Sequence, residues 1–212
     1  MKKIVIRNYP YCYQPANAAL LSAFLFNLNY KVSGSEVGSF FQVNSNPVEG
    51  SFNNSTLYAL KKSRRSGLAF CQLPSSKSNE VFNFISEKQA AKGYGVSMDK
   101  AHFEKTVRLF PDRYLFFAVY LEDKLIAAAI IVKVNERVLY DYIHAHDPAF
   151  DHLSPVILLI TNLYQSALEN KFEILDLGTS AWKGQPDFPL LYFKRSLGAQ
   201  STLKLTFEKN LD

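Results

Sequence analysis

Cysteine is scarce in this chain: Cys12 and Cys71 are the two thiols among 212 residues. Two thiols cannot build a disulfide framework, so stability must come from a hydrophobic core, and the composition fits a reducing, cytoplasmic setting. Long apolar runs are missing as well. No stretch reaches the roughly 18 apolar residues that a spanning helix needs, so no insertion into a membrane is expected. The start, MKKIVIRNYP, does set lysines ahead of the run AALLSAFLF. Tyr9, Pro10 and Tyr13 interrupt that pattern and no small-residue cleavage site follows, which argues against a secretory leader. The four histidines (His102, His144, His146 and His152) have no cysteine or carboxylate at ligand spacing, and no metal is expected. No glycine-flanked nucleophile or Ser-His-Asp signature is present either. Acidic residues are outnumbered 19 to 24, a net charge of +5. That excess is compatible with a phosphate-bearing partner without demanding one.

What is present is an apolar chain, 48% hydrophobic and 14% aromatic, long enough for one sizeable domain with a short appendage. Residues 1–56 hold a strand-like start at Ile4–Ile6 and an apolar helical run from about Pro15 to Asn29. A Gly-, Ser- and Asn-rich stretch follows and reads as loop with one short strand, SFFQV. This part is expected to be a truncated N-terminal segment packed on a main domain spanning 57–212. Within the latter, TLYALKKSRRSG reads as a helix capped by Thr56, LAFCQL as a strand, and SNEVFNFISEKQAAKG as a helix stopped by Gly93. SMDKAHFEKTVRLF is a second helix with Ser97 at its cap. RYLFFAVYL, KLIAAAIIVKV and RVLYDYIHA follow as three strands joined by the tight breaks EDK and NER. Ser154 and Pro155 open the helix SPVILLITNLYQSALENK. EILDLG, PLLYFKRSL and STLKLTFEK complete the order β α α β β β α β α β.

That order resembles the GNAT acyltransferase fold, and more closely the C-terminal half of the FemAB/FemX-like branch with its BioF2-like acetyltransferase relatives. The likeness is carried by KKSRRSGLAF, KGYGVSM, AAAIIV, the long segment 154–199 and LKLTF, and most strongly by Asp176-x-Gly178-x-Ser180, Gly184 and Phe193-Lys194-x-x-x-Gly198. The resemblance implies an α/β fold, a mixed and largely antiparallel sheet with helices on both faces. It also implies transfer of an acyl or aminoacyl group from an acyl-CoA or tRNA-linked donor to an amine, in a bacterial setting such as cell-envelope or polysaccharide biosynthesis. The chain departs from the family twice. Only about 55 residues stand where Fem-type enzymes carry a second half, so a homodimer completing the groove and a non-catalytic binding module are both alternatives. And HAHDPAFDHLSP has no glycine where CoA-dependent enzymes carry a phosphate-binding loop.

The chemistry needs a held donor, a stabilised oxyanion and a route for one proton. Alternation along RVLYDYIHA sets Val138, Tyr140, Tyr142, His144 and His146 on one face and Leu139, Asp141, Ile143 and Ala145 on the other. Tyr140, His144 and Asp176 are the catalytic candidates, and the histidine reads first as a solvated strand-end residue and second as a general base. Asp176 either faces the groove or partners a basic residue. Lys194, Ser154, Gly178, Ser180 and Gly184 are the candidate donor-binding residues, Ser154 through the amides of the helix it opens. Helical spacing runs the Lys194 stem along the stripe Leu190, Phe193 and Leu197, with its ammonium reaching a groove mouth. The basic run KKSRR is a solvated helix end or a phosphate contact.

Overall fold

The structure of the protein, a computed structural model, describes residues 2–182 and 185–211. In chain order the elements are β1 (Lys2–Arg7), α1 (Pro15–Asn27), β2 (Lys31–Gln42), α2 (Asn54–Arg65), β3 (Leu68–Leu73), α3 (Ser78–Ala91), α4 (Lys100–Leu109), β4 (Tyr114–Leu121), β5 (Lys124–Lys133), β6 (Val138–His146), α5 (Pro155–Glu169), β7 (Ile174–Thr179), the two-residue strands β8 (Ala181–Trp182) and β9 (Gln185–Pro186), α6 (Phe188–Ser196) and β10 (Gln200–Leu211). From residue 68 onward this is the expected order with one small hairpin added. The chain forms two compact units, residues 43–175 and the combination of 1–42 with 176–212.

In the unit 43–175, strands β3, β4, β5 and β6 pair each with the next, all antiparallel. All five residues of Ala127–Ile131 are fully buried, so β5 is covered on both faces where simple alternation would bury one. One face presents Phe116, Ala128, Ile130 and Ala145 to Val81, Phe82 and Ile85 of α3 and Phe103 and Val107 of α4. Phe103 stacks on Phe82 at 4.4 Å and meets Tyr114 and Phe116 edge-on, each at 6.3 Å, the geometry that ring quadrupoles favour. On the other face α5 lies along β3 to β6 and buries Leu159, Leu163 and Ala167. Two helix starts differ from the sequence expectation. Asn53, not Thr56, caps α2 by accepting from the Thr56 amide at 2.9 Å, and Asp99, not Ser97, caps α4 through the His102 amide. α2 thus begins three residues earlier and α4 two residues later than expected, and each has a short polar side chain just ahead of its first turn. The Ser97 hydroxyl instead meets the Tyr142 hydroxyl at 2.7 Å.

The β5–β6 ladder slips once. Ile130 faces Ile143 while Ile131 faces Asp141, leaving Tyr142 as an extra residue. A bulge reverses the facing of everything beyond it. Tyr140, opposite Val132, stays on the α3 and α4 side and meets the Tyr142 ring edge-on at 6.3 Å. His144 and His146, opposite Ala129 and Ala127, turn to the α5 side and join Asp141 there. The single file of Tyr140, Tyr142, His144 and His146 that alternation suggests is therefore divided.

In the other unit β10 lies between β1 and β2, antiparallel to both. β2 takes 12 residues from a stretch that reads as loop. Its glycines account for the difference. A Cβ at Gly38 would come within 2.9 Å of Thr202 Cγ2 on β10, so the composition that suggests flexibility here permits close strand approach. α1 is apolar around almost its whole circumference and buries only Ala18 and Leu25.

Candidate functional site

Two polar clusters collect the sequence candidates, one in each unit. The first lies on β6. His144 Nδ1 and Asp141 Oδ2 are 2.6 Å apart. The Asp141 side chain is 1% exposed and that of His144 is 21% exposed. The carboxylate is thus shut away while the ring keeps an accessible edge. Asp141 Oδ1 has no hydrogen-bond partner among the described residues, an expensive arrangement for a buried carboxylate. Gln89 of α3 donates to the His144 carbonyl at 3.1 Å and fixes the strand from the side. With Nδ1 committed to the carboxylate, Nε2 is the ring nitrogen left to exchange a proton. Nearby, His146 Nε2 meets Asp151 at 2.6 Å. Burial and the Lys92 charge lower its pKa from the ordinary histidine value, against the pull of Asp151.

The second cluster gathers where β7 ends. Asp176 is 2% exposed. Its Oδ2 accepts from the Tyr13 hydroxyl at 2.6 Å and its Oδ1 from the Gly178 amide at 2.7 Å. Gly178 takes φ 73°, a left-handed turn that brings its amide back onto a side chain two residues earlier. Burial raises the Asp176 pKa, and the two hydrogen bonds and the charges of Lys194 and Lys204 only partly offset it. Lys194 is 3% exposed, the one fully buried residue of α6. Its ammonium donates to the carbonyls of Gly178 at 3.2 Å and Thr179 at 3.0 Å. This corrects the expectation of an ammonium at a groove mouth. The turn at Gly178 leaves two carbonyls for the lysine, and a helical wheel contains no sign of them. Arg195 is exposed, as helical rotation implies.

The remaining candidates fall as follows. Ser180 is buried and ties strands together through its backbone, its amide donating to the Val37 carbonyl at 2.8 Å and its carbonyl accepting from Asp187. Its hydroxyl has no partner among the described residues. Asp187 caps α6 by accepting from the Leu190 amide. Gly184 lies outside the described residues. Ser154 does stand at the N-cap of α5, in the left-handed region at φ 55°, and its side chain caps nothing. In the segment before it Asp147 accepts from the Ala149 amide at 3.1 Å and lies 3.5 Å from the Lys88 ammonium and 4.0 Å from that of Lys124, and Asp151 engages His146. Pro155 supplies no amide hydrogen. In the run 61–65, Arg64 pairs with Glu49 at 2.6 Å.

Sequence reasoning misses Asp141 and Tyr13. Strict alternation puts Asp141 on the face opposite His144, and Tyr13 lies 163 positions from its partner.

Residues 59–194 match the acetyltransferase (GNAT) domain family. No curated protein sequence matches the chain. Among solved structures, FemX superposes with a TM-score of 0.73 at 13% identity, over 90% of this chain and 68% of that one. L-PGS from Bacillus licheniformis gives 0.64 at 10% identity, over 88% and 64%. A tandem GNAT protein from the clavulanic acid biosynthesis pathway gives 0.53 at 10% identity, over 99% and 65%. At such identities the likeness is one of fold, and the chain spans about two thirds of the length of each.

Proposed function

Because the chain belongs to the acetyltransferase (GNAT) domain family, we propose that it transfers an activated acyl or aminoacyl group to an amine, with His144 as the general base. The observation that carries this reading is the 2.6 Å contact between a nearly sealed Asp141 and a part-exposed His144. An amine attacks a carbonyl only as the free base, and the nitrogen must lose a proton as the new C–N bond forms and the bond to the donor's leaving group breaks. His144 Nε2 accepts that proton and returns it to the leaving group. Asp141 fixes the ring so that Nε2 is left to exchange that proton, and its negative charge steadies the imidazolium while it exists. Asp176 and Lys194 have a different part. They hold the turn at 178–179, and so the frame of their own unit, and touch no reactant.

Pro155 withholds one amide from the start of α5 and residues 144–155 contain no glycine, which favours a donor activated otherwise than by coenzyme A, such as an aminoacyl ester. The test is product formation, read by mass spectrometry, with acyl-CoA and aminoacyl-tRNA donors against a panel of amines. His144→Ala should lower kcat by about 10²–10⁴ and leave the fold unchanged. Full activity in that variant, or no product with either donor class, would overturn the reading.

A further inference from the structure

We propose that α1 is a membrane-surface anchor, lying in the headgroup layer of an anionic bilayer. This proposal is independent of the acyl-transfer reading. The segment Pro15–Asn27, PANAALLSAFLFN, contains no charged residue. Shielded from solvent, such a helix would be an ordinary core element, but here Leu20 is 57% exposed, Phe24 62%, Phe26 71% and the following Leu28 58%. Leu20, Phe24 and Leu28 recur every four residues and form one line along the helix, Phe26 stands exposed on another side, and the buried Ala18 and Leu25 lie about a third of a turn round from the line. Soluble surfaces scatter single apolar side chains and rarely align several large ones.

Charge selects the occupant. Nine basic and five acidic residues fall in the sequence of the unit that carries α1, against fifteen and fourteen in residues 43–175. That unit therefore has most of the positive excess of the sequence, although Lys194 within it is buried. Two of the unit's cations stand at the end of α1: Lys31 is exposed just beyond it, and Lys209 donates to the Leu28 carbonyl at 2.9 Å with its ammonium over the Tyr30 ring. An apolar strip with lysines at its margin is what an anionic lipid surface attracts, the strip entering the acyl boundary while the ammonium groups meet phosphates. At 13 residues the helix is about 20 Å long, too short to span a core of about 30 Å, so it lies on the surface. A second copy of the chain fits less well. A strip about 20 Å by 10 Å falls well short of the roughly 800 Å² per partner of a stable interface.

Vesicle co-sedimentation of the intact chain tests this, with phosphatidylcholine alone and with phosphatidylcholine doped with phosphatidylglycerol. The chain should partition at least about tenfold better onto the anionic vesicles, and added salt should reduce the difference. Leu20→Ser combined with Phe24→Ser should lower that partition by about tenfold or more, with the thermal midpoint unchanged because both side chains are exposed. Lys31→Glu should weaken binding to the anionic vesicles alone. The proposal is overturned if the native chain ignores anionic vesicles, or if the double variant binds as the native chain does. It is equally overturned if light scattering shows a native dimer that the double variant turns into monomers.

Discussion

Asp141 and His144 share one face of β6 because Tyr142 is an extra residue between their ladder partners, and that displacement is what lets Oδ2 and Nδ1 meet at 2.6 Å. In an unbroken strand, residues three apart point to opposite faces. Asp141 is thus a positioning residue whose effect passes through the His144 ring. Asp141→Asn should cut kcat by about tenfold to a hundredfold and change KM little, since the amide no longer holds Nδ1 as a charged acceptor does. The thermal midpoint should fall far less than a merely structural loss of activity would require. Full activity in the variant, or a rate loss matched by loss of the folded protein, would count against the role.

The same bulge explains how far the sequence can be read. The elements from β3 to β10 are legible because apolar periodicity, short polar breaks and helix-stopping glycines are local signals, and Gly67 and Gly93 do take positive φ at their helix ends. β2 is not legible. Its glycines and serines look like loop, and only the closeness of Thr202 on β10, far along the chain, explains them. At the candidate site, His144 and Asp176 are visible as chemistry-bearing residues, but their partners are not. The bulge at Tyr142 and the turn at Gly178 each rearrange neighbours over two or three positions, on a scale that periodicity averages away.

Residues 1–42 should stay with 176–212 after the chain is cut. β1 pairs with β10 over six register positions and β2 over nine, all antiparallel. The exposed stretch around Asn44–Asn46 is the natural point of proteolytic entry. Limited proteolysis followed by native mass spectrometry should find the N-terminal piece bound to the remainder. A soluble, folded 1–56 fragment migrating alone would disprove this.

Asp176 should give the fold a recognisable pH dependence. Its folded pKa lies above its ordinary value of 3.8, chiefly through burial. The folded chain therefore binds more protons than the unfolded chain between those two values, so stability falls as pH rises through that window and levels off above it. Asp176→Asn keeps an acceptor for the Gly178 amide and removes the titration. Urea unfolding from about pH 3.5 upward should show this component in the native chain and not in the variant. Identical pH slopes in the two would mean that Asp176 does not titrate as its burial requires.

Lys194 gives the sharpest test, because its two readings predict opposite things about stability. An ammonium reaching a groove would be removable: Lys194→Met would keep the stem's packing, fold normally and lose only ligand. The structure places that ammonium 3.0 Å and 3.2 Å from the carbonyls of Thr179 and Gly178 inside a residue 3% exposed. Methionine fills the same volume but donates nothing, so two part-buried carbonyls lose a charged donor and Asp176 loses a favourable charge. The expected loss is roughly 3 kcal/mol, the scale for breaking a buried, charge-assisted contact on one side. Asp176 should then ionise less readily still, so the destabilisation should grow as pH rises above the ordinary carboxylate value. Arg195→Met is the control. That side chain is exposed, and its replacement should stay within about 0.5 kcal/mol. Chemical denaturation of the three proteins decides between the readings. A Lys194→Met chain as stable as the native one would return the lysine to a surface role and mean that the 178–179 turn holds without its ammonium.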